Sequence, residues 1–104
     1  MIMNFKPERD VQKDIIKYVR KSGGYVANIH RATPNGTPDL IISLDGVFVG
    51  CEVKAERYHN NPEKQMSAWQ HKHKQQIQDS NSLFCCVASL EQFKTYLSDN
   101  LIYL

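Results

Sequence analysis

The chain has 104 residues, of which 41% are hydrophobic and 23% charged, and its formal net charge is +2. This length supports one domain around one hydrophobic core, and the composition excludes a disordered or fibrous protein. No apolar run approaches the roughly 20 residues that a membrane span needs, and no signal-peptide stretch opens the chain. We therefore expect one domain over residues 1–104, in the reducing cytoplasm and without a membrane partner.

Hydrophobic periodicity predicts a first helix and a first strand. Pro7 suits the first helical position, because its missing N–H is not needed there. From Glu8 onward apolar residues recur at helical spacing, and Ser22-Gly23-Gly24 ends the helix. Residues 25–30 read as a strand, which a short loop over residues 31–37 follows.

Two β-rich runs, residues 39–44 and 47–54, are separated by Asp45-Gly46. Asp-Gly between apolar runs favours a type I′ hairpin, since both turn residues need positive φ. With these two as the loop, facing residues have numbers that sum to 91. One face of the ribbon is then entirely apolar and must face the core. That face comprises Leu40, Ile42, Leu44, Val47, Val49, Cys51 and Val53.

The remaining chain adds a helix, a strand and a helix. Asn61-Pro62 suits the N-cap and first position of a helix that runs to about Gln78. Residues 83–88 are continuously apolar, which predicts a strand buried on both faces. Ser89 caps a final helix with three residues inward, namely Phe93, Tyr96 and Leu97. The predicted order is αβββαβα, an α/β domain with a mixed central sheet flanked by helices.

On the opposite face of the hairpin, the same register places Asp39 directly across from Glu52. Facing carboxylates repel and destabilise a fold unless something positive lies between them. Carboxylate oxygens suit Mg²⁺ or Mn²⁺, and Mg²⁺ typically takes one or two carboxylates with waters and a substrate phosphate. Lys54 lies two residues beyond Glu52 and points from the same face, where its ammonium group suits a charged transition state.

Glu8 is a third candidate acid, on the first helix. It lies on the same stripe as Val11, Ile15 and Val19, so we expect it to face the interior. Two interpretations stay open at this point. Glu8 is either a first-turn residue favoured by the helix dipole or a residue that contributes to the metal site.

These residues resemble a known family, the PD-(D/E)xK nucleases. Pro38-Asp39 followed by Glu52-Val53-Lys54 is that motif, and Gly36 extends it to its frequent fuller form. Within the superfamily, the chain is most similar to VRR-NUC (virus-type replication-repair nuclease) domains, especially small phage versions. The resemblance implies a restriction-endonuclease-like core, with Asp39, Glu52 and the Val53 carbonyl as metal ligands. It also implies Lys54 as the catalytic lysine and Glu8 as the acid on the first helix.

The same group carries a glutamine on the helix after the lysine, and Gln65 and Gln70 compete for this role. We choose Gln70, because it shares a helical stripe with Met66, Trp69, His73 and Ile77. His73 is either a core residue or a phosphate or water contact. Plausible phosphate contacts in DNA are Arg31, Arg57, His59, Lys64 and Lys72.

The predicted function is structure-selective cleavage of branched DNA, such as Holliday junctions, by a Mg²⁺- or Mn²⁺-dependent endonuclease. A small domain offers little surface for base readout, which favours recognition through phosphates and shape. Two coordinated cuts in a four-way junction call for a homodimer. No organic cofactor is expected. The alternatives are a nuclease on linear duplex or restriction-type substrates, a non-catalytic DNA-binding module, and an interaction protein in which the motif is a coincidence.

Overall fold

A computed structural model of the chain describes residues 4–30 and 35–103. The elements follow the order αβββαβα, as the sequence predicts. The helices are α1 (Glu8–Lys21), α2 (Ala68–Asp79) and α3 (Leu90–Asp99), and the strands are β1 (Tyr25–Asn28), β2 (Leu40–Leu44), β3 (Val47–Val53) and β4 (Leu83–Val87). Two short 3₁₀ turns, Glu56–Tyr58 and Pro62–Gln65, lie between β3 and α2.

The strands form one mixed sheet in the order β1-β2-β3-β4. β1, β2 and β3 are antiparallel neighbours, whereas β3 and β4 run parallel. The predicted hairpin register is confirmed, since Leu40 pairs with Cys51 and Leu44 with Val47. Both turn residues, Asp45 and Gly46, have positive φ (49° and 78°), as a type I′ turn requires.

The two faces of the sheet are covered differently. α1 and α3 pack on the predicted apolar face of the hairpin, and the core there includes Val11, Ile15, Val19, Phe93 and Leu97. The other face is covered by α2 through a smaller cluster of Met66, Phe84, Cys86 and Ile77. Glu52 belongs to this second face, so the predicted site lies between the sheet and α2.

The predicted start of the second helix is wrong. Asn61 makes no side-chain cap, and Pro62 opens a single 3₁₀ turn that ends at Gln65. Met66 is extended (φ −74°, ψ 140°), because its side chain is buried against Phe84 and Cys86. α2 begins at Ala68 with Ser67 as its N-cap.

Other differences are smaller. β1 ends at Asn28 rather than at His30, although Ile29 still donates its backbone N–H to the Asp39 carbonyl at 2.7 Å. The three cysteines form no disulfide and are buried. Within the described residues, no helix is long and apolar enough to cross a membrane.

Candidate functional site

Asp39 and Glu52 meet at the end of the hairpin. Asp39 immediately precedes β2, and its Oδ2 accepts a hydrogen bond from the Val53 backbone N–H at 2.9 Å. Glu52 is only 1% exposed, and its carboxyl is within hydrogen-bonding reach of that of Asp39. The structure therefore brings together the two acids that the hairpin register placed opposite each other.

The surroundings of Glu52 oppose its ionisation. Burial, together with the hydrogen bond and the charge of Asp39, raises the pKa of Glu52 to about 9, although Lys54 acts in the opposite direction. At neutral pH without a cation, Glu52 is therefore protonated. A cation between the two acids would replace that proton, because metal binding favours the deprotonated ligand.

Gln70 connects the acids to the lysine. Its Nε2 donates to Glu52 Oε1 at 3.1 Å, and its Oε1 accepts from Lys54 Nζ at 3.2 Å. The side-chain amide thus donates to the Glu52 carboxyl and accepts from the Lys54 ammonium group. Gln65, the competing glutamine, is exposed in the preceding 3₁₀ turn.

The first turn of α2 fixes the orientation of this amide. The Ser67 backbone N–H also donates to Gln70 Oε1 at 2.9 Å, and Ser67 Oγ accepts from the Gln70 backbone N–H at 3.2 Å. These reciprocal bonds form a capping box. The helix cap and the site therefore share one glutamine side chain.

A glycine allows the loop before Asp39 to lie against the same helix turn. Gly36 has φ +88°, and a Cβ at this position would lie 2.5 Å from the carbonyl carbon and oxygen of Trp69. Only glycine combines this backbone conformation with so close a contact. Gly36 of the Gly36-x-Pro38-Asp39 motif thus positions Asp39 beside α2.

Glu8 departs from its prediction in part. It is exposed at the first turn of α1 rather than turned into the interior. The surrounding protein still desolvates its carboxyl, and this effect and the charge of Asp39 raise its pKa while Lys54 lowers it. The structure therefore places Glu8 at the edge of the acid pair.

The donor set fits a hard divalent cation. Two carboxylates, one of them buried and forced into its neutral form, face each other beside the Val53 backbone. In residues 4–30 and 35–103, no cluster of three or more His, Cys, Asp or Glu side chains is close enough to hold one ion. Carboxylate oxygens are hard donors, which suit a hard divalent cation that keeps several of its waters.

The predicted DNA contacts do not all lie on this site. Arg57 lines a cleft of about 270 Å³ together with Glu8, and it stacks on Tyr58. His59 instead lines a groove between β4 and α3, and Lys64 is exposed on the 3₁₀ turn. Lys72 lies over the Trp69 ring. Arg31 is outside the described residues.

Sequence reasoning missed three residues at the site. Ser67 was detectable, because Ser-x-x-Gln is a capping-box pattern. Cys86 pairs with Glu52 across β3 and β4 and so shares its face, which no local pattern reveals. Trp69 was predicted only as a member of the stripe that contains Gln70, and it is 54% exposed. His73 is half-buried rather than a fully buried core residue, and its contact with phosphate or water stays a prediction.

Comparison with known proteins identifies the fold. No family model matches the sequence, and no curated protein matches it. A solved structure described as "VRR_NUC domain" aligns with a TM-score of 0.74 and 23% identity, covering 89% of this chain and 96% of that chain. The chain therefore has the fold of a VRR-NUC domain, which confirms the fold predicted from the motif.

Proposed function

We propose that this protein is a divalent-metal-dependent nuclease that hydrolyses phosphodiester bonds in DNA. One observation carries the proposal. The buried Glu52 carboxyl contacts Asp39 and is linked through Gln70 to Lys54, on the fold of a VRR-NUC domain. A purely structural role does not explain this arrangement, since two acids in contact destabilise the apo fold.

Asp39, Glu52 and the Val53 carbonyl would hold Mg²⁺ or Mn²⁺. The ion would lower the pKa of a bound water and neutralise the scissile phosphate. Val53 donates its N–H to Asp39, which fixes the carboxylate relative to β3. Glu8, whose carboxyl feels the charge of Asp39, would add negative charge for the ion at the edge of the pair.

Lys54 supplies positive charge where negative charge develops in the transition state. Gln70 holds its ammonium group, and the capping box holds Gln70. This chain of contacts limits the freedom of a long side chain, so that the ammonium group is oriented before the substrate arrives. Gln70 is thus a positioning residue in this mechanism.

We infer branched DNA as the preferred substrate and a homodimer as the working unit. A two-fold dimer presents two sites with the symmetry of a four-way junction, and it combines basic segments of two chains that each have a net charge of only +2. Cleavage of linear duplex is the second candidate. A DNA-binding module without activity is disfavoured, because carboxylates near a phosphate weaken binding.

The test is incubation with Mg²⁺ and a matched panel of four-way junction, flap, linear duplex and single strand, with sedimentation of the protein alone and with junction. We expect paired cuts in the junction by a dimer. A monomer that nicks one strand would contradict the proposed cleavage of four-way junctions by a homodimer, but not the proposed nuclease activity. No cleavage of any substrate in Mg²⁺ or Mn²⁺ would contradict the nuclease itself.

A further inference from the structure

An exposed tryptophan stands at the edge of the candidate site. Trp69 is the only tryptophan in the chain, it is 54% exposed, and it is the second residue of α2. It is adjacent in sequence to Gln70, so the two Cα atoms are about 3.8 Å apart. The close contact between Gly36 and its backbone holds this helix turn against the loop that leads to Asp39. The indole is therefore exposed but anchored.

The charge beside the ring has the sign that a phosphate requires. Lys72 Nζ lies 5.4 Å from the centre of the Trp69 ring, a cation–π distance. Lys74 on the same helix instead forms an ion pair with Glu63, in which its Nζ lies 2.8 Å from Glu63 Oε1. Among the ion pairs in the described part of the chain, Lys72 has no carboxylate partner. The ring and the ammonium group thus form one apolar and cationic surface on α2, the helix whose Gln70 contacts Glu52.

We propose that Trp69 stacks on an unpaired nucleobase of the DNA substrate and that Lys72 contacts the neighbouring phosphate. This inference depends on the proposed nuclease function and adds a substrate class to it. Aromatic side chains stack on any base whose face is open, whatever the sequence. Bases inside a duplex are covered on both faces, so the matching ligand is a branch point, a flap or a single strand.

Because Trp69 is the only tryptophan, its fluorescence reports directly on this surface. Wild-type protein is titrated in Ca²⁺, which we expect to support cleavage poorly, with dye-labelled DNA whose anisotropy measures binding in the same samples. The probes are a flap, the same flap with abasic sites at the branch, and a paired duplex of equal length. The flap should quench Trp69 strongly, and the abasic flap and the duplex should quench it weakly.

Two variants separate stacking from apolar contact. Trp69→Phe keeps an aromatic face and should bind the flap almost as wild type does. Trp69→Leu keeps apolar surface without a ring and should bind the flap about 10-fold more weakly, with its affinity for duplex unchanged. Thermal melting checks that both variants fold, which the exposure of the side chain favours.

The outcomes distinguish this inference from the function on which it depends. DNA cleavage in Mg²⁺ without quenching, or with Trp69→Leu equal to wild type on the flap, overturns the stacking role alone. Absence of both cleavage and anisotropy change with every DNA overturns the nuclease as well. A change in sedimentation of Trp69→Leu without loss of flap affinity assigns the surface to a protein partner and also overturns the inference.

Discussion

Glu52→Gln should stabilise the metal-free protein while it removes activity. The substitution keeps the shape of the side chain, and an amide at this position can still accept the hydrogen bond from Gln70 and donate one to Asp39. It removes only the ability to ionise. The Glu52 carboxyl lowers the stability of the wild-type protein at neutral pH, because burial and Asp39 raise its pKa to about 9 in the folded state.

The magnitude and its sign follow from proton linkage. Since the folded protein holds the Glu52 proton more tightly than the unfolded chain, wild-type stability falls as pH rises from the ordinary pKa of 4.5 towards 9. At pH 7, about 2.5 units above the ordinary value, ionisation favours the unfolded chain by about 3 kcal/mol at ~1.4 kcal/mol per unit. At pH 5 the same effect is below about 1 kcal/mol.

Urea denaturation in EDTA at pH 5 and pH 7 measures this difference. The free energy of unfolding of Glu52→Gln should exceed that of wild type by about 3 kcal/mol at pH 7 and by much less at pH 5. Glu91→Gln is the matched control, because Glu91 is exposed and has only a long contact of 3.9 Å with Lys94. Equal stability of wild type and Glu52→Gln at both pH values would refute the reasoning.

Two further predictions concern the metal and the loop before Asp39. Cleavage should require Mg²⁺ or Mn²⁺, stop in EDTA and be poorly supported by Ca²⁺, which prefers more ligands; full activity in EDTA would remove the mechanism. Gly36→Ala should reduce both stability and cleavage more than Gly46→Ala, since both glycines have positive φ but only Gly36 has backbone within 2.5 Å of the added Cβ. Denaturation and cleavage rates of the two variants check this, and equal losses would show that the contact with Trp69 is unimportant.

The hairpin and its acids could be predicted because their information is local. A two-residue Asp-Gly turn fixes the register of both strands, and the register alone places Asp39 opposite Glu52. The alternation of β3 likewise assigns each residue to one face. Contacts of this kind need no knowledge of the rest of the chain.

The start of α2 and the exposure of its side chains were harder to predict, because they depend on tertiary packing. Asn61-Pro62 has the chemistry of a helix start, but burial of Met66 interrupts the helix and moves the cap to Ser67. The choice of Gln70 agrees with its contacts, although only part of the stripe used to choose it faces inward, since Met66 and Ile77 pack on the sheet while Trp69 is exposed. The positions of Glu8 and of the predicted phosphate contacts relative to the site depend on how separate elements pack together, which no local sequence pattern predicts.

The central claim is that Asp39 and Glu52 form the metal site of a nuclease, and one cleavage comparison tests it most directly. Asp39→Asn keeps an oxygen to accept the Val53 hydrogen bond and removes one negative charge. Asp45→Asn removes the same charge at the hairpin turn, where asparagine tolerates the positive φ of 49°. Initial rates on junction and flap DNA in Mg²⁺ should fall about 100-fold or more for Asp39→Asn, the size of loss typical when a transition-state interaction is removed, and stay near wild type for Asp45→Asn. Cleavage by Asp39→Asn at the wild-type rate would contradict the assignment.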